Sequence, residues 1–205
     1  MSRIKRVFIS VLALSLTLCM TGCKSSGKLS HSNFKSAAKK SGATIVENST
    51  DFAKVANQLS GYSVFISQKG SDAQTLFESQ ITKTATMPAI KEFSIFMSAP
   101  DDSSICYITM VTFDDEKDAN DFYKMNCSQV MGNILGNDGY SFNLKYQEKD
   151  GVTRQEGAYQ KGKIVIYAVS EYPTTKSFTV LEDICTELGI KSPAEANKKM
   201  QEKIQ

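Results

Sequence analysis

The sequence predicts an α+β fold, an antiparallel sheet covered by helices, and three observations support it. Residues 140–147 alternate apolar and polar side chains, which is typical of a half-buried antiparallel strand. Turn-forming residues at 100–103, 149–151 and 161–162 separate strand-like segments, which indicates hairpins. Apolar residues at three- and four-residue spacing mark helices between them. The second half has the order β-β-α-β-β-β-α, so a ferredoxin-like arrangement is one candidate.

In the first half of the chain, periodicity predicts helices alternating with strands. The predicted elements are a helix that begins near 32 and ends at Gly42, a strand at 43–47, a helix capped by Thr50 and ended by Gly61, a strand at 62–67, a helix capped by Ser71 and a loop at 82–88.

The second half is more regular, and the pattern predicts strands joined by tight turns. The predicted elements are strands at 93–98 and 105–113, a long helix capped by Asp114 or Asp115, a glycine-rich loop at 132–139, strands at 140–147, 152–159 and 163–170, a helix over 178–188 ended by Gly189, and a polar C-terminal helix opened by the capping box Ser192-Pro193-Ala194-Glu195.

The first twenty-three residues have the composition of an export signal. Three positive charges lie within residues 2–6, and residues 7–20 then carry no charge. The apolar stretch is short for a membrane-spanning helix, which needs about 20 residues. We therefore expect a signal peptide at this end of the chain rather than a permanent membrane helix.

Met20-Thr21-Gly22-Cys23 resembles the lipobox of bacterial lipoproteins, in which a small residue precedes the cysteine. The resemblance implies cleavage between Gly22 and Cys23 and a diacylglyceryl group on the Cys23 thiol. Two acyl chains on one residue anchor a protein stably in a membrane. Met20 and Thr21 depart from the usual residues, and ordinary secretion remains the alternative.

The folded part also resembles a family. A strand with aromatic residues at 106–113 is followed by a helix that has acidic residues and Ala119 near its start. A hairpin at 159–167 precedes a second helix, which ends at Ile190. These segments are similar to uncharacterised extracytoplasmic lipoproteins of Firmicutes, a family that brings no known activity or catalytic residues. The expected organisation is a signal peptide at 1–22, a lipidated cysteine and flexible tether at 23–32, one α+β domain at 33–190 and a polar helix at 191–205.

The charge of the chain is misleading until the signal is removed. The full chain has 24 Lys and Arg against 22 Asp and Glu, but Arg3, Lys5 and Arg6 lie in the signal. The remainder has 21 basic against 22 acidic residues, so composition does not suggest nucleic acid as a partner.

Histidine and cysteine usage excludes several kinds of site. A single histidine excludes zinc sites that need two imidazoles, such as HExxH. We expect that histidine, His31, to be solvated in the tether and without a role, which also excludes a Ser-His-Asp catalytic triad.

Cys106, Cys127 and Cys185 remain in the domain and allow at most one disulfide, and the sequence does not decide whether two of them pair. Their expected role is that of buried apolar residues, and we predict no cofactor.

Acidic side chains are densest where the long helix of the second half begins. We expect this cluster to cap the helix and favour its dipole rather than to bind Ca²⁺, because the spacing does not match an EF-hand loop. The sequence therefore predicts no metal site. The cluster consists of Asp114, Asp115, Glu116, Asp118 and Asp121.

Aromatic residues offer the one candidate ligand surface. The alternation of the predicted strands places several rings on shared sheet faces, where they could stack against a saccharide or peptide or form the core beneath a helix. These residues are Tyr140, Phe142, Tyr146, Tyr159 and Tyr167.

Three functions remain compatible with the sequence. The favoured one is a non-catalytic binding or scaffolding protein, lipid-anchored on the extracytoplasmic face of a bacterial membrane. The second is a modulator or inhibitor of a membrane or wall enzyme, which predicts an exposed apolar patch. The third is an envelope hydrolase, which predicts a cleft with two buried carboxylates. Expected partners are the membrane, through the lipid, and an envelope protein or saccharide.

Overall fold

The computed structural model describes residues 29–47, 49, 61–80, 88–130, 132 and 134–203. In chain order the elements are α1 (His31–Lys40), β1 (Thr44–Val46), β2 (Tyr62–Lys69), α2 (Gly70–Gln80), β3 (Ile90–Asp101), β4 (Ser104–Phe113), α3 (Glu116–Val130), β5 (Ile134–Asn137), β6 (Ser141–Lys149), β7 (Val152–Lys161), β8 (Ile164–Pro173), α4 (Val180–Leu188) and α5 (Pro193–Gln201).

The strands form one eight-stranded sheet in the order β1-β2-β3-β4-β8-β7-β6-β5. All neighbouring strands are antiparallel except β1 and β2, which are parallel. The expected α+β fold with an antiparallel sheet is therefore confirmed. The ferredoxin-like arrangement is not confirmed, because the sheet is larger and carries helices on both faces.

Alternation along the strands divides the side chains between two cores. The first face is covered by α1, α4 and α5, and its core contains Phe34, Phe65 and Tyr159. The second face is covered by α2 and α3, and its core is a cluster of phenylalanine rings around Phe77. In that cluster the Phe77 ring centroid lies 5.2 Å from Phe93. Both faces are apolar because a sheet with helices on two sides exposes neither face to water.

Helix ends follow the signals in the sequence. The Ser192 hydroxyl accepts a hydrogen bond from the Glu195 backbone N–H at 3.1 Å, as the capping box predicts. Asp115 caps α3 by accepting from the Asp118 backbone N–H at 2.8 Å. Gly189 ends α4 in the left-handed conformation, with φ of 67°.

The predicted glycine-rich loop at 132–139 is wrong in part, because Ile134–Asn137 form the edge strand β5 beside β6. Gly136 lies directly under the Phe142 ring, and a side chain at this position would collide with that ring. The glycine that indicated a loop therefore serves the close approach of one strand to an aromatic ring.

Several predicted features lie outside the described residues. They are the signal peptide with Gly22 and Cys23, the helix predicted to begin at Thr50 and most of the loop predicted at 82–88. Among the residues that the structure describes, no helix combines the length and the apolar character needed to cross a membrane.

We predict that Gly136→Ala destabilises the domain by about 1–3 kcal/mol, because the new methyl group must displace the buried Phe142 ring. Urea unfolding measures the free energy. The double variant with Phe142→Leu, which removes the ring, should recover part of the loss. If Gly136→Ala lowered the free energy of unfolding equally with and without the Phe142 ring, the packing argument would be contradicted.

Candidate functional site

The structure does not gather the five candidate aromatic residues into one surface. Tyr140, Phe142 and Tyr159 belong to the core of the first face, and Tyr159 is fully buried. Tyr146 is half-buried on the same face, farther along β6. Tyr167 pairs with Ala158 and so points to the opposite face of the sheet.

Two of these tyrosines hold the connection between α4 and α5. The Tyr159 hydroxyl donates to the Lys191 backbone carbonyl at 2.8 Å, and the Tyr140 hydroxyl accepts from the Lys191 backbone N–H at 2.8 Å. Burial raises the pKa of Tyr159 well above its usual value. Both hydroxyls are thus engaged in packing the C-terminal helices onto the sheet.

We predict that Tyr159→Phe lowers the free energy of unfolding by about 1–2 kcal/mol, because the Lys191 carbonyl loses a buried donor. Tyr146→Phe is the matched control, since its hydroxyl bonds the exposed Glu148 carboxylate, and it should change stability by less than about 0.5 kcal/mol. Chemical denaturation compares them, and an equal effect of both changes would argue against this role for Tyr159.

His31 is not a solvated tether residue, so that expectation is wrong. It is the first residue of α1 and only 6% of it is exposed. Its Nδ1 lies 2.6 Å from the Ser94 hydroxyl and its Nε2 lies 2.9 Å from the Thr112 hydroxyl. The residues predicted as the last part of the tether therefore belong to the folded domain, because the polar groups on β3 and β4 give the ring both of its partners.

The surrounding hydrogen bonds decide the tautomer of His31. Ser94 donates its single hydroxyl hydrogen to Ser67 at 2.8 Å, so it accepts from the imidazole. Nδ1 is then the protonated nitrogen, and Nε2 accepts from Thr112. The result is a neutral ring that links α1 to β2, β3 and β4.

This network contains a serine next to a histidine but is not arranged for nucleophilic attack. Ser94 is fully buried, and its hydroxyl hydrogen is directed to Ser67 rather than to the imidazole. Burial and the nearby Lys69 charge lower the pKa of His31 to about 4. The chemistry this arrangement supports is acid-sensitive attachment of α1 to the sheet.

We predict a pH dependence of stability that comes from His31. Its pKa is about 4 in the folded state and near 6.5 unfolded, so the unfolded state binds the proton more tightly. Stability should fall as pH decreases from 6.5 to 4, by up to about 3 kcal/mol. Urea unfolding at several pH values measures this.

His31→Gln is the control for that prediction. It should remove the dependence in this range while Lys69 and Glu92, the charged groups beside the network, remain. The Glu92 pKa is raised by burial, so its contribution has the opposite sign and is common to both proteins. An unchanged slope in the variant would contradict the assignment.

The cysteines of the folded domain are free and largely buried. Cys106 and Cys185 are buried, Cys127 is half-buried, and the three are free in the structure. Burial raises the pKa of the Cys185 thiol to about 12, which keeps it protonated and unreactive. The described residues contain no grouping of three His, Cys, Asp or Glu side chains that could hold a metal ion.

Sequence patterns missed a polar site beneath α4, which we call the Gln155 site and define by Gln155, Ser170, Tyr172 and Glu182. Gln155 and Ser170 are polar, yet both are completely buried within the core. The Gln155 side-chain amide donates to the Tyr172 hydroxyl at 3.0 Å and to Glu182 Oε1 at 2.7 Å. The signal in the sequence was Gln155 itself, a polar residue on the strand face that also carries Gly157 and Tyr159.

A groove of about 720 Å³ lies at the end of the sheet where β3 turns into β4. Its walls include Tyr62, Ile105, Val152 and Glu171, and the apolar Ile105 and Val152 are each 37% exposed. Asp101 in the turn pairs with Lys176 at 3.0 Å. The groove therefore combines two exposed apolar side chains with polar and charged ones.

Comparisons with known proteins add little. No protein-family model matches the chain, and no curated protein matches it. Among solved structures, the extracellular domain of PknH from Mycobacterium tuberculosis is similar with a TM-score of 0.36 and 11% identity, over 72% of this chain and 92% of that chain. A similarity of this size carries no argument about fold or function.

Proposed function

We propose that this protein is a lipid-anchored component of the bacterial cell envelope with a non-catalytic binding or scaffolding role on the extracytoplasmic side. The lipobox-like Met20-Thr21-Gly22-Cys23 supports the anchor. The observation that carries the proposal is where the folded domain begins. Leu29 is already 92% buried in the core of the first face, only six residues after Cys23.

The short distance between Cys23 and Leu29 determines how such an anchor would act. Five residues, 24–28, separate the lipidated cysteine from the core, and they span at most about 20 Å when extended. His31 contacts the end of β4 at Thr112, whereas the groove adjoins the beginning of that strand at Ile105. A protein anchored at Cys23 would therefore hold the His31 end near the bilayer and present the groove outward.

The engagement of polar side chains in hydrogen bonds and ion pairs supports a role without chemistry. Both ring nitrogens of His31 are occupied, and Ser94 beside it is fully buried. The Glu156 and Glu171 carboxylates are both held by Arg154. An envelope hydrolase is accordingly the least favoured of the three functions.

The anchor is tested by Cys23→Ala. We expect the unaltered protein to fractionate with membranes and to incorporate an alkyne-labelled fatty acid, and the variant to lose both properties. Cys127→Ala is the matched control, because it removes a cysteine of the folded domain and should leave labelling unchanged. Labelling of the Cys23→Ala protein would contradict the proposal.

Modulation of a membrane or wall enzyme is the second candidate, and the groove is the observation that favours it. Its exposed Ile105 and Val152 are the kind of apolar contact that a protein partner covers. A photo-crosslinking residue at position 105 should capture a discrete envelope protein. The same residue at position 135, where Leu135 is 71% exposed on the edge strand, serves as the control.

A further inference from the structure

The Gln155 site lies in a row of polar residues that crosses four strands of the sheet. Cys106 of β4 pairs with Ser170 of β8, Ser170 pairs with Gln155 of β7, and Gln155 pairs with Tyr146 of β6. Paired residues on antiparallel strands place their side chains next to each other on one face. The row therefore brings Ser170, Gln155 and Tyr146 side by side beneath the first turn of α4, which carries Glu182.

The orientation of the Gln155 amide is determined by its neighbours. Its Nε2 atom lies 2.7 Å from Glu182 Oε1 and 3.0 Å from the Tyr172 hydroxyl. Reversing the amide would place two acceptor oxygens in contact, so the NH₂ group must face Glu182. The carbonyl oxygen Oε1 of Gln155 consequently points away from both partners.

Three polar atoms of this site have no hydrogen-bond partner among the described residues. They are Gln155 Oε1, Ser170 Oγ and Glu182 Oε2. Leaving a buried polar atom unpaired costs about 1–3 kcal/mol, so three in one place require an explanation. The amide oxygen accepts only, and so does the ionised carboxylate. The Ser170 hydroxyl can donate to one of them at most.

A ligand that satisfies all three atoms must supply several donors, and Glu182 is the acidic side chain among the residues that define the site. A primary ammonium has three N–H donors, which equals the number of unpaired atoms. The carboxylate of Glu182 can balance its charge, and the Tyr172 hydroxyl, 3.0 Å from the Gln155 amide nitrogen, lies at the same site. Ca²⁺ fits poorly, because it takes six to eight oxygen ligands and the site offers three unpaired oxygens.

Two side chains at the site reach the protein surface. Glu182 and Tyr146 are both partly exposed, and Tyr172 packs edge-on against Phe178 with ring centroids 5.6 Å apart. The Tyr146 hydroxyl donates to Glu148 at 2.6 Å, at the outer side of the row. Solvent therefore lies next to the Glu182 and Tyr146 side chains at the outer side of the row.

We propose that the Gln155 site binds a small cation of the ammonium class, either the ammonium ion or the primary ammonium group of a larger ligand. Three hydrogen bonds, to Gln155 Oε1, Ser170 Oγ and Glu182 Oε2, hold the nitrogen. This inference deepens the proposed binding role and rests on it. It does not involve Cys23, so its failure would leave the membrane-anchor test unaffected.

Thermal unfolding of the full chain in different chloride salts at one ionic strength tests the site. Ammonium and methylammonium carry N–H donors, whereas tetramethylammonium has the same charge and none. We expect Tm to be higher in the first two by roughly 4 °C when the cation is present at ten times its Kd. Equal Tm values in all salts would mean that an internal water fills the site and would overturn the proposal. A potassium effect as large as that of ammonium would likewise overturn the N–H argument.

Two variants assign the effect to these residues. Ser170→Ala removes one acceptor, so the Kd for ammonium should rise at least about tenfold and the Tm shift in ammonium should shrink. Its Tm in tetramethylammonium should be unchanged or higher. Glu182→Gln removes the charge and should abolish the shift. Glu187→Gln on the same helix is the matched control, because its carboxylate pairs with Lys40 at the surface, and it should retain the shift. Retention of the shift in Glu182→Gln would contradict the proposal.

For the ammonium ion itself, ¹⁵N-labelled ammonium provides a direct readout by NMR. A bound signal whose N–H protons exchange slowly with water is expected for the unaltered protein and for Glu187→Gln. Loss of that signal in Glu182→Gln supports the site. A bound signal that is equally strong in Glu182→Gln would place the ion elsewhere and overturn the assignment.

Discussion

The pairing of β4 with β8 is the interaction on which the rest of the structure depends. It joins the strands β1 to β4 to the strands β5 to β8 over the residues Ile105–Thr112 and Ile164–Glu171. Because about fifty residues separate the two strands, the pairing is a non-local contact, which is slow to form because the intervening loop must close first. It makes both apolar cores continuous across the sheet and completes the polar row that contains Ser170 and Gln155.

Two of the buried polar networks on the first face each connect a helix to the sheet. His31 links α1 to β3 and β4 through Ser94 and Thr112. Gln155 links β7 to α4 through Glu182. The His31 network is complete in its hydrogen bonds, which indicates a structural role, whereas the Gln155 network leaves three acceptors open and so points to a ligand.

The position of α1 connects the fold to the proposed location of the protein. The helix begins only a few residues after the lipobox-like segment and is held to the sheet by a neutral histidine. Protonation of that ring at acidic pH opposes the attachment, so acid should weaken the contact of α1 with the sheet. The groove at Ile105, at the other end of β4, is free of this network.

Elements whose signal is local were predictable from the sequence alone. Period-two alternation identified β6, the capping box identified the start of α5, and Gly189 identified the end of α4, because each depends on residues close in the chain. Only the tertiary structure decided the roles of His31, Gly136 and Gln155. Their partners are Ser94, the Phe142 ring and Glu182, which lie at a distance along the chain and become neighbours through strand register and helix packing. A pattern read along the chain carries no information on such contacts, since the same polar residue is solvated or buried depending on what the fold places beside it.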